Sequence, residues 1–404
     1  MITIPQENTV ADPTTDVKPL IRLADSEAEA PRAKPSEAAS QEDSKPSRLH
    51  SLDALRGLTV LLMLLANNVA LDTRTPVQLT HAPWNGGVRL ADLVFPWFLF
   101  CVGIAIPFSA WSFRKKGLPT WRYDLKAITR AVVLVFLGCL ITSSLYKRPL
   151  FALGVLQIIG MAYLIGALLY DLALSRRLMV AGALLVGYWA ALKFVPIPGV
   201  GRGAFDESRN LIQHLNDTYL TAVSLAGLPA VVPTAALVLI GTAIGDLLMR
   251  KEARQSHTTA WLLAAGAGMA ALGALWSLDL GFSKALWTPA YILFAAGTGS
   301  VVLALFHLLI DTNGWRAWAY PLLVFGANAI TAYVAPILVK VWVLQEWQVH
   351  LPGGQMKPIL QWLLDSSVNT FGRVPGGWFY TISYLLVWWV ILWQLYRKKL
   401  FLRV

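Results

Sequence analysis

The chain has 404 residues, of which 56% are hydrophobic and 14% are charged, and its mean hydropathy is +0.54. This composition lies outside the range of a soluble globular domain and predicts a polytopic membrane protein in the lipid bilayer. The net charge of +11 does not indicate a nucleic-acid partner, because the basic residues after residue 48 lie mostly in short clusters between apolar runs.

The first 48 residues differ from the rest in composition. They are rich in Pro, Ala, Ser and Glu, and they have nine acidic and six basic residues. Such a segment cannot bury enough apolar surface to fold, so we predict a disordered cytoplasmic tail over residues 1–48. We see no cleavable signal peptide at its start. Residues 49–404 are predicted to form the transmembrane domain.

About ten apolar runs follow, and we predict an all-α protein with about ten transmembrane helices. The runs are 55–71, 93–111, 127–145, 150–170, 178–194, 230–249, 260–278, 286–310, 318–344 and 381–396. Lys and Arg are concentrated in the loops that share a side with the N-terminus. The positive-inside rule therefore predicts that both termini are cytoplasmic and that the first hairpin opens to the outer face.

The loop between the first two runs is the candidate active site. It contains His81, it follows the pair Asn67 and Asn68, and it ends at Asp92. Imidazole suits proton transfer near neutral pH, so His81 is interpreted as a general base or nucleophile, with Asp92 holding its tautomer. The asparagines would orient a substrate or stabilise an oxyanion. The alternative is an ordinary loop histidine exposed to water or headgroups.

Further polar and aromatic residues near apolar runs are interpreted as substrate-binding. With Asn68, this set comprises Trp84, Asn85, Lys284, Trp287 and Asn328. Polar groups are costly in a membrane and suggest function, although each could instead bond neighbouring helices.

Three residues are candidates for binding a phosphate-bearing cofactor from the cytoplasm. They are Arg56 and Arg114, at predicted inner ends of helices, and Gln157, within an apolar run. For the arginines, the alternative is an anchoring role in topology. Metal-ligand spacings such as HExxH do not occur, and no metal is predicted.

The strings SLDALRGLTVLLMLLANN and THAPWNGGVRLADLVFPWFLFCVG, with later stretches in the same order, resemble the transmembrane acetyltransferase family of heparan-alpha-glucosaminide N-acetyltransferase. The resemblance extends from about residue 48 to the C-terminus. It implies transfer of an acetyl group from cytoplasmic acetyl-CoA to an amino sugar on the far side of the membrane. It also implies His81 as the catalytic histidine and Asn67 as its amide partner.

Several alternatives stay open. His81 would either accept the acetyl group covalently or deprotonate the acceptor amine for direct attack, and the direct route needs fewer assumptions. The acceptor is expected to be an amino sugar of a microbial cell envelope or an exported glycan, in a bacterial plasma membrane. Competing functions are an O-acyltransferase of an envelope glycan, a non-enzymatic transporter of a sugar or acyl-phosphate ligand, and a degenerate scaffold. A homodimer is one candidate assembly.

Overall fold

The computed structural model describes residues 49–84, 86–249, 256–352 and 354–402. The tail predicted over residues 1–48, the substrate-binding candidate Asn85 and the basic cluster at 250–254 lie outside these ranges. Within them, the protein is mostly helical. The α-helices are α1 (His50–Ala66), α2 (Leu90–Arg114), α3 (Thr120–Tyr146), α4 (Val155–Leu168), α5 (Leu174–Phe194), α6 (Leu211–Leu215), α7 (Val231–Met249), α8 (Ser256–Trp276), α9 (Pro289–Phe306), α10 (Tyr320–Ala327), α11 (Ala329–Val339), α12 (Ile359–Phe371) and α13 (Arg373–Arg397).

Shorter elements connect these helices. Single 3₁₀ turns are Asp72–Arg74, Val77–Leu79, Thr221–Val223, Leu228–Ala230 and Ala317–Ala319, and π-helical turns are Asn216–Leu220, His307–Thr312 and Lys340–Leu344. An antiparallel hairpin of β1 (Gln348–His350) and β2 (Met356–Pro358) pairs Val349 with Lys357. The hairpin and α12 lie in the second long polar insert, residues 345–377, for which the sequence analysis predicts no elements.

The described residues contain seven helices that are long and apolar enough to cross a membrane. They are Leu90–Arg114, Thr120–Tyr146, Leu174–Phe194, Leu228–Met249, His257–Trp276, Pro289–Thr312 and Arg373–Arg397. The segments Ala317–Ala327 and Ala329–Leu344 give an eighth if they form one span, although they meet at 68°. The other two predicted runs correspond to α1 and α4, which have only 17 and 14 residues. The chain is therefore a multi-pass membrane protein, while the number ten and the orientation stay predictions.

The two ends of α1 are fixed by side chains. The Asp311 carboxylate accepts hydrogen bonds from the backbone N–H groups of His50 (3.2 Å) and Ser51 (3.1 Å), which have no partner within the helix. At the other end, the Asn68 amide donates to the carbonyl oxygen of Leu64 at 2.7 Å and satisfies one of the last open carbonyls. This explains why α1 ends at Ala66, although the apolar run continues to Leu71.

Glycines allow the central helices to approach closely. A Cβ added to Gly57 of α1 would lie 1.8 Å from the carbonyl oxygen of Leu322 in α10, and one added to Gly326 would lie 2.0 Å from that of Asp53. Gly103 of α2 meets α7 in the same way, with Val238 as the neighbour. Small residues commonly permit such backbone contacts between membrane helices. The helices α2 and α7 are mostly buried, whereas α3, α5, α8 and α13 expose apolar faces at the periphery.

Candidate active site

Asp92 organises the start of α2 and the loop before it. Its carboxylate accepts hydrogen bonds from the backbone N–H groups of Arg89 and Ala82, both at 3.1 Å, and from Nδ1 of His81 at 2.8 Å. The first of these bonds caps the helix, and the N-terminus of a helix favours a negative charge. Asp92 is only 2% exposed. A short acid placed three residues after the helix cap thus fixes both the loop and the imidazole.

The contact with Asp92 defines the tautomer of His81. An ionised carboxylate can only accept, so Nδ1 carries the proton and Nε2 keeps its lone pair. The imidazole side chain is 63% exposed, and Nε2 is therefore available as a base or nucleophile. Arg89 supports this arrangement, since its guanidinium donates to the hydroxyl of Thr80 (2.6 Å) and to the carbonyl oxygen of His81 (2.9 Å).

Lys284 joins this pair from the loop before α9. Its Nζ lies 3.0 Å from Nδ1 of His81, 3.4 Å from Nε2, and 3.6 Å from Oδ1 of Asp92. Nδ1 has a single position for a hydrogen bond, and we assign it to Asp92 because that contact is shorter. Burial lowers the pKa of Lys284 below its ordinary value, and the negative charge of Asp92 acts in the opposite direction.

Two aromatic residues, Tyr291 and Trp287, lie beside His81, Asp92 and Lys284. The hydroxyl of Tyr291 donates to the backbone carbonyl oxygen of Asp92 at 2.6 Å, which ties α9 to the first turn of α2. Trp287 packs edge-on against Phe95 and Tyr291 and has a left-handed backbone with φ of 52°. Non-glycine residues adopt this conformation only when surrounding contacts enforce it, so the Trp287 ring is held in place.

These residues surround a cavity of about 400 Å³. Five of the sequence candidates line it, namely His81, Asp92, Trp84, Lys284 and Trp287. Tyr291 and Glu207 also line it and were missed by the sequence analysis. Tyr291 lies four residues after Trp287, in the first turn of α9, and this nearness to a candidate residue was its signal in the sequence. Glu207 lies in the first polar insert, residues 196–228, where no periodicity or motif distinguishes it.

Asn67 and Asn68 lie elsewhere, at the end of α1 beside α11 and α13. Nζ of Lys340 donates to the backbone oxygen of Asn67 at 3.1 Å and to Oδ1 of Asn68 at 3.0 Å. Thr381 bridges to the same segment, with its hydroxyl 3.2 Å from the backbone nitrogen of Ala70. The Asn67 residue is exposed and Asn68 is buried, and neither is among the described residues that line the cavity.

Asn328 is placed at the break between α10 and α11. Its amide donates to the backbone oxygen of Leu400 and accepts from the backbone nitrogen of Leu402, both at 3.2 Å. The side chain is 1% exposed. These bonds give Asn328 a structural role in holding the C-terminal residues, away from the cavity lining.

The two arginines proposed for cofactor binding have protein partners. Arg56 donates from Nε to the carbonyl oxygen of Gly326 at 2.9 Å and also pairs with Asp53. Arg114 pairs with Asp171, and this pair is more than half exposed. Arg114 thus remains accessible to an anion, whereas Arg56 already satisfies a carbonyl and a carboxylate.

Gln157 is enclosed between α3 and α4. Its Nε2 donates to the carbonyl oxygen of Ala152 at 2.8 Å, and its side chain fills the space left by Gly138 and Gly154. Its Oε1 has no hydrogen-bond partner among the described residues. Gln157 therefore holds the residues before α4 through one hydrogen bond, and its Oε1 is an acceptor without a partner among the described residues.

The part of the chain that the structure describes contains no group of three or more His, Cys, Asp or Glu residues suited to hold a metal ion, and the absence of a metal stays a prediction.

Comparison with known proteins adds to this geometry. A family model described as "Heparan-alpha-glucosaminide N-acetyltransferase, catalytic" matches residues 48–278. Human heparan-alpha-glucosaminide N-acetyltransferase is 25% identical over 431 residues, which cover 89% of this chain and 60% of the relative. The Mus musculus protein of the same name is 24% identical over 472 residues, covering 98% of this chain and 66% of the relative. The chain thus spans about three fifths to two thirds of the length of these relatives.

Proposed function

The chain belongs to the family defined by the catalytic region of heparan-alpha-glucosaminide N-acetyltransferase, and on that premise we propose that it transfers an acetyl group from acetyl-CoA to the amine of an amino sugar. The observation that carries the proposal is the pair formed by His81 and Asp92 in a cavity of about 400 Å³. Nε2 of His81 has a lone pair that can receive a proton, and the Asp92 carboxylate stabilises the imidazolium that results.

Direct transfer uses this pair in one sequence of bond changes. The acceptor nitrogen attacks the thioester carbonyl carbon while Nε2 of His81 takes a proton from that nitrogen. The carbon–sulfur bond then breaks, and the imidazolium returns the proton to the CoA thiolate. In the alternative route, Nε2 itself attacks the thioester carbonyl carbon, and the carbon–sulfur bond breaks to release the CoA thiolate. The amine then attacks the acetyl group, the bond to Nε2 breaks, and the proton that the amine loses passes to the thiolate. Both routes need the Nδ1–H tautomer that Asp92 stabilises.

The membrane sidedness of the reaction is part of the proposal. We infer a cytoplasmic acetyl-CoA donor and an outer acceptor, because the loops with most Lys and Arg lie on the side opposite to the His81 loop in the sequence pattern. An amino sugar of a bacterial cell envelope or an exported glycan is the proposed acceptor. Asn67 stays a proposed amide partner of His81, Asn68 a candidate for binding the acceptor, and Arg114 a candidate for binding acetyl-CoA. Arg114 is supported by its exposure.

The test is acetyl transfer by purified protein in detergent, with labelled acetyl-CoA and glucosamine. We expect stoichiometric release of CoA and N-acetylglucosamine, and a loss of roughly 100-fold or more in His81→Ala, the usual contribution of a general base. His350→Ala is the matched control, because His350 is an exposed histidine of the β1–β2 hairpin. Folded protein that binds no acetyl-CoA and releases no CoA would refute the acetyltransferase and favour the transporter.

A further inference from the structure

Residues 205–210 of the first polar insert form a short turn that is fixed by several hydrogen bonds. Residues Phe205 and Asn210 form an isolated antiparallel bridge. The Asn210 side chain, which is 3% exposed, donates to the carbonyl oxygens of Asp206 (2.9 Å) and Glu207 (3.0 Å). Its Oδ1 also accepts from the backbone of Gln213 and caps α6. One buried amide thus fixes the backbone that presents the Glu207 side chain.

The same turn is attached to the histidine loop. The indole N–H of Trp84 donates to the carbonyl oxygen of Phe205 at 2.9 Å, and the two aromatic rings lie 5.7 Å apart. Trp84 and Glu207 both line the cavity that contains His81. Glu207 is therefore held at the rim of this cavity, from an insert more than 120 residues away in the sequence.

The charges around the cavity differ in their availability. Asp92 is fully used, since its carboxylate contacts His81, two backbone N–H groups and the Lys284 ammonium. The Glu207 carboxylate forms no hydrogen bond or ion pair with any side chain that the structure describes, and the residue is exposed to solvent. Among the described residues that line the cavity, Glu207 is thus the carboxylate free to bind a ligand.

We propose that Glu207 is the binding subsite for the amino group of the acceptor, taken as a cation, and that it selects amines over alcohols. The inference rests on the proposed function and deepens it. An ammonium group donates up to three hydrogen bonds and forms an ion pair with a carboxylate, whereas a neutral hydroxyl donates one hydrogen bond and forms no ion pair. Lys284 would repel a cation that enters the cavity, and the Glu207 charge offsets this repulsion. Glu207 binds and orients the acceptor as its ammonium form, which releases one proton to water before it reacts. Nε2 of His81 takes the second proton as the neutral amine attacks.

The test compares Glu207→Gln with the neighbouring Asp206→Asn, which removes an equal charge from a residue that does not line the cavity. We expect KM for glucosamine to rise about tenfold in Glu207→Gln, with kcat changed less than twofold and Asp206→Asn behaving as wild type. Glucose, which lacks the amine, is tested as a competitive inhibitor, and its inhibition constant should rise much less in Glu207→Gln than the KM for glucosamine.

The outcomes separate the inference from the proposed function. An unchanged KM for glucosamine in Glu207→Gln, with active wild type, overturns the subsite. An equal rise in KM and in the inhibition constant of glucose also overturns it, because the variant would then have damaged the cavity as a whole. If wild-type protein acetylates no amine, the proposed function itself fails. A rise in KM confined to the amine supports the subsite.

Discussion

At the scale of single residues, the hydrogen bond between Asp92 and His81 decides which imidazole nitrogen is basic. We expect Asp92→Asn to lower the rate of acetyl transfer roughly 100-fold or more. An asparagine amide can donate to Nδ1, and the proton then moves to Nε2, which can no longer accept one. The measurement is the rate of CoA release at saturating acetyl-CoA.

Tyr291→Phe is the control for this prediction. It removes a hydrogen bond to the backbone oxygen of Asp92 and leaves the carboxylate and its contact with His81 in place. Its rate should fall much less than that of Asp92→Asn. Equal losses in the two variants would mean that Asp92 acts only by supporting the start of α2.

The sequence indicated several residues that the structure brings to one cavity, and it predicted the contact of Asp92 with His81. Chemistry at the ends of apolar runs indicated His81, Asp92 and Lys284, and the structure brings all three within hydrogen-bond or ion-pair distance. Glu207 was missed because its position depends on a long-range contact of Trp84, and such contacts have no local signal. Asn328 shows the converse, since a buried amide in an apolar run has a structural partner at the C-terminus.

At the scale of elements, the contact between α1 and α10 depends on two glycines. We expect Gly57→Ala to reduce the free energy of unfolding by about 3 kcal/mol, because the added methyl group meets a backbone carbonyl that cannot move alone. The measurement is the thermal unfolding midpoint of purified protein. A shift of α1 should also weaken acetyl transfer, since this helix leads into the histidine loop.

Gly182→Ala provides the comparison, because a Cβ at Gly182 of α5 has no atom within 4 Å. Its stability should stay within about 1 kcal/mol of wild type, and replacing a helical glycine can even stabilise. A similar midpoint for Gly57→Ala and Gly182→Ala would show that α1 and α10 separate more easily than their packing indicates.

Hydropathy located the long apolar helices that the structure describes, but it did not locate α6 or α12 and did not show how each helix ends or bends. The run 318–344 was predicted as one helix, whereas the structure has a 68° bend at Asn328. That bend is stabilised by residues 400 and 402, which no local window includes. Arg177 is one of the Lys and Arg residues on which the predicted orientation rests, yet it is 4% exposed and bonds Thr242 (2.7 Å) and Asp246 of α7. A basic residue at a helix end looks the same in the sequence whether it sets the topology or bonds a neighbouring helix.

At the scale of the whole molecule, the predicted orientation has a direct test. Arg202→Cys lies in the first polar insert, predicted outside, and Lys116→Cys lies between α2 and α3, predicted inside; both positions are exposed. A membrane-impermeant maleimide added to intact cells should label Arg202→Cys and should label Lys116→Cys only after permeabilisation. The wild-type chain supplies the background, because Cys101 is buried and Cys139 is partly buried. The reverse pattern would invert the topology and place His81 on the cytoplasmic side.

The cap that Asp311 forms on α1 also has a consequence for biosynthesis. Asp311 follows His50 by 261 residues, so a ribosome that adds roughly 5–20 residues per second needs about 13–50 s to make the partner of the first helix. During this interval the N–H groups that start α1 must bond to water or lipid headgroups. A ribosome stalled before residue 311 would leave α1 without this cap. The loop that contains His81 follows α1, so its final position depends on a residue that is made much later.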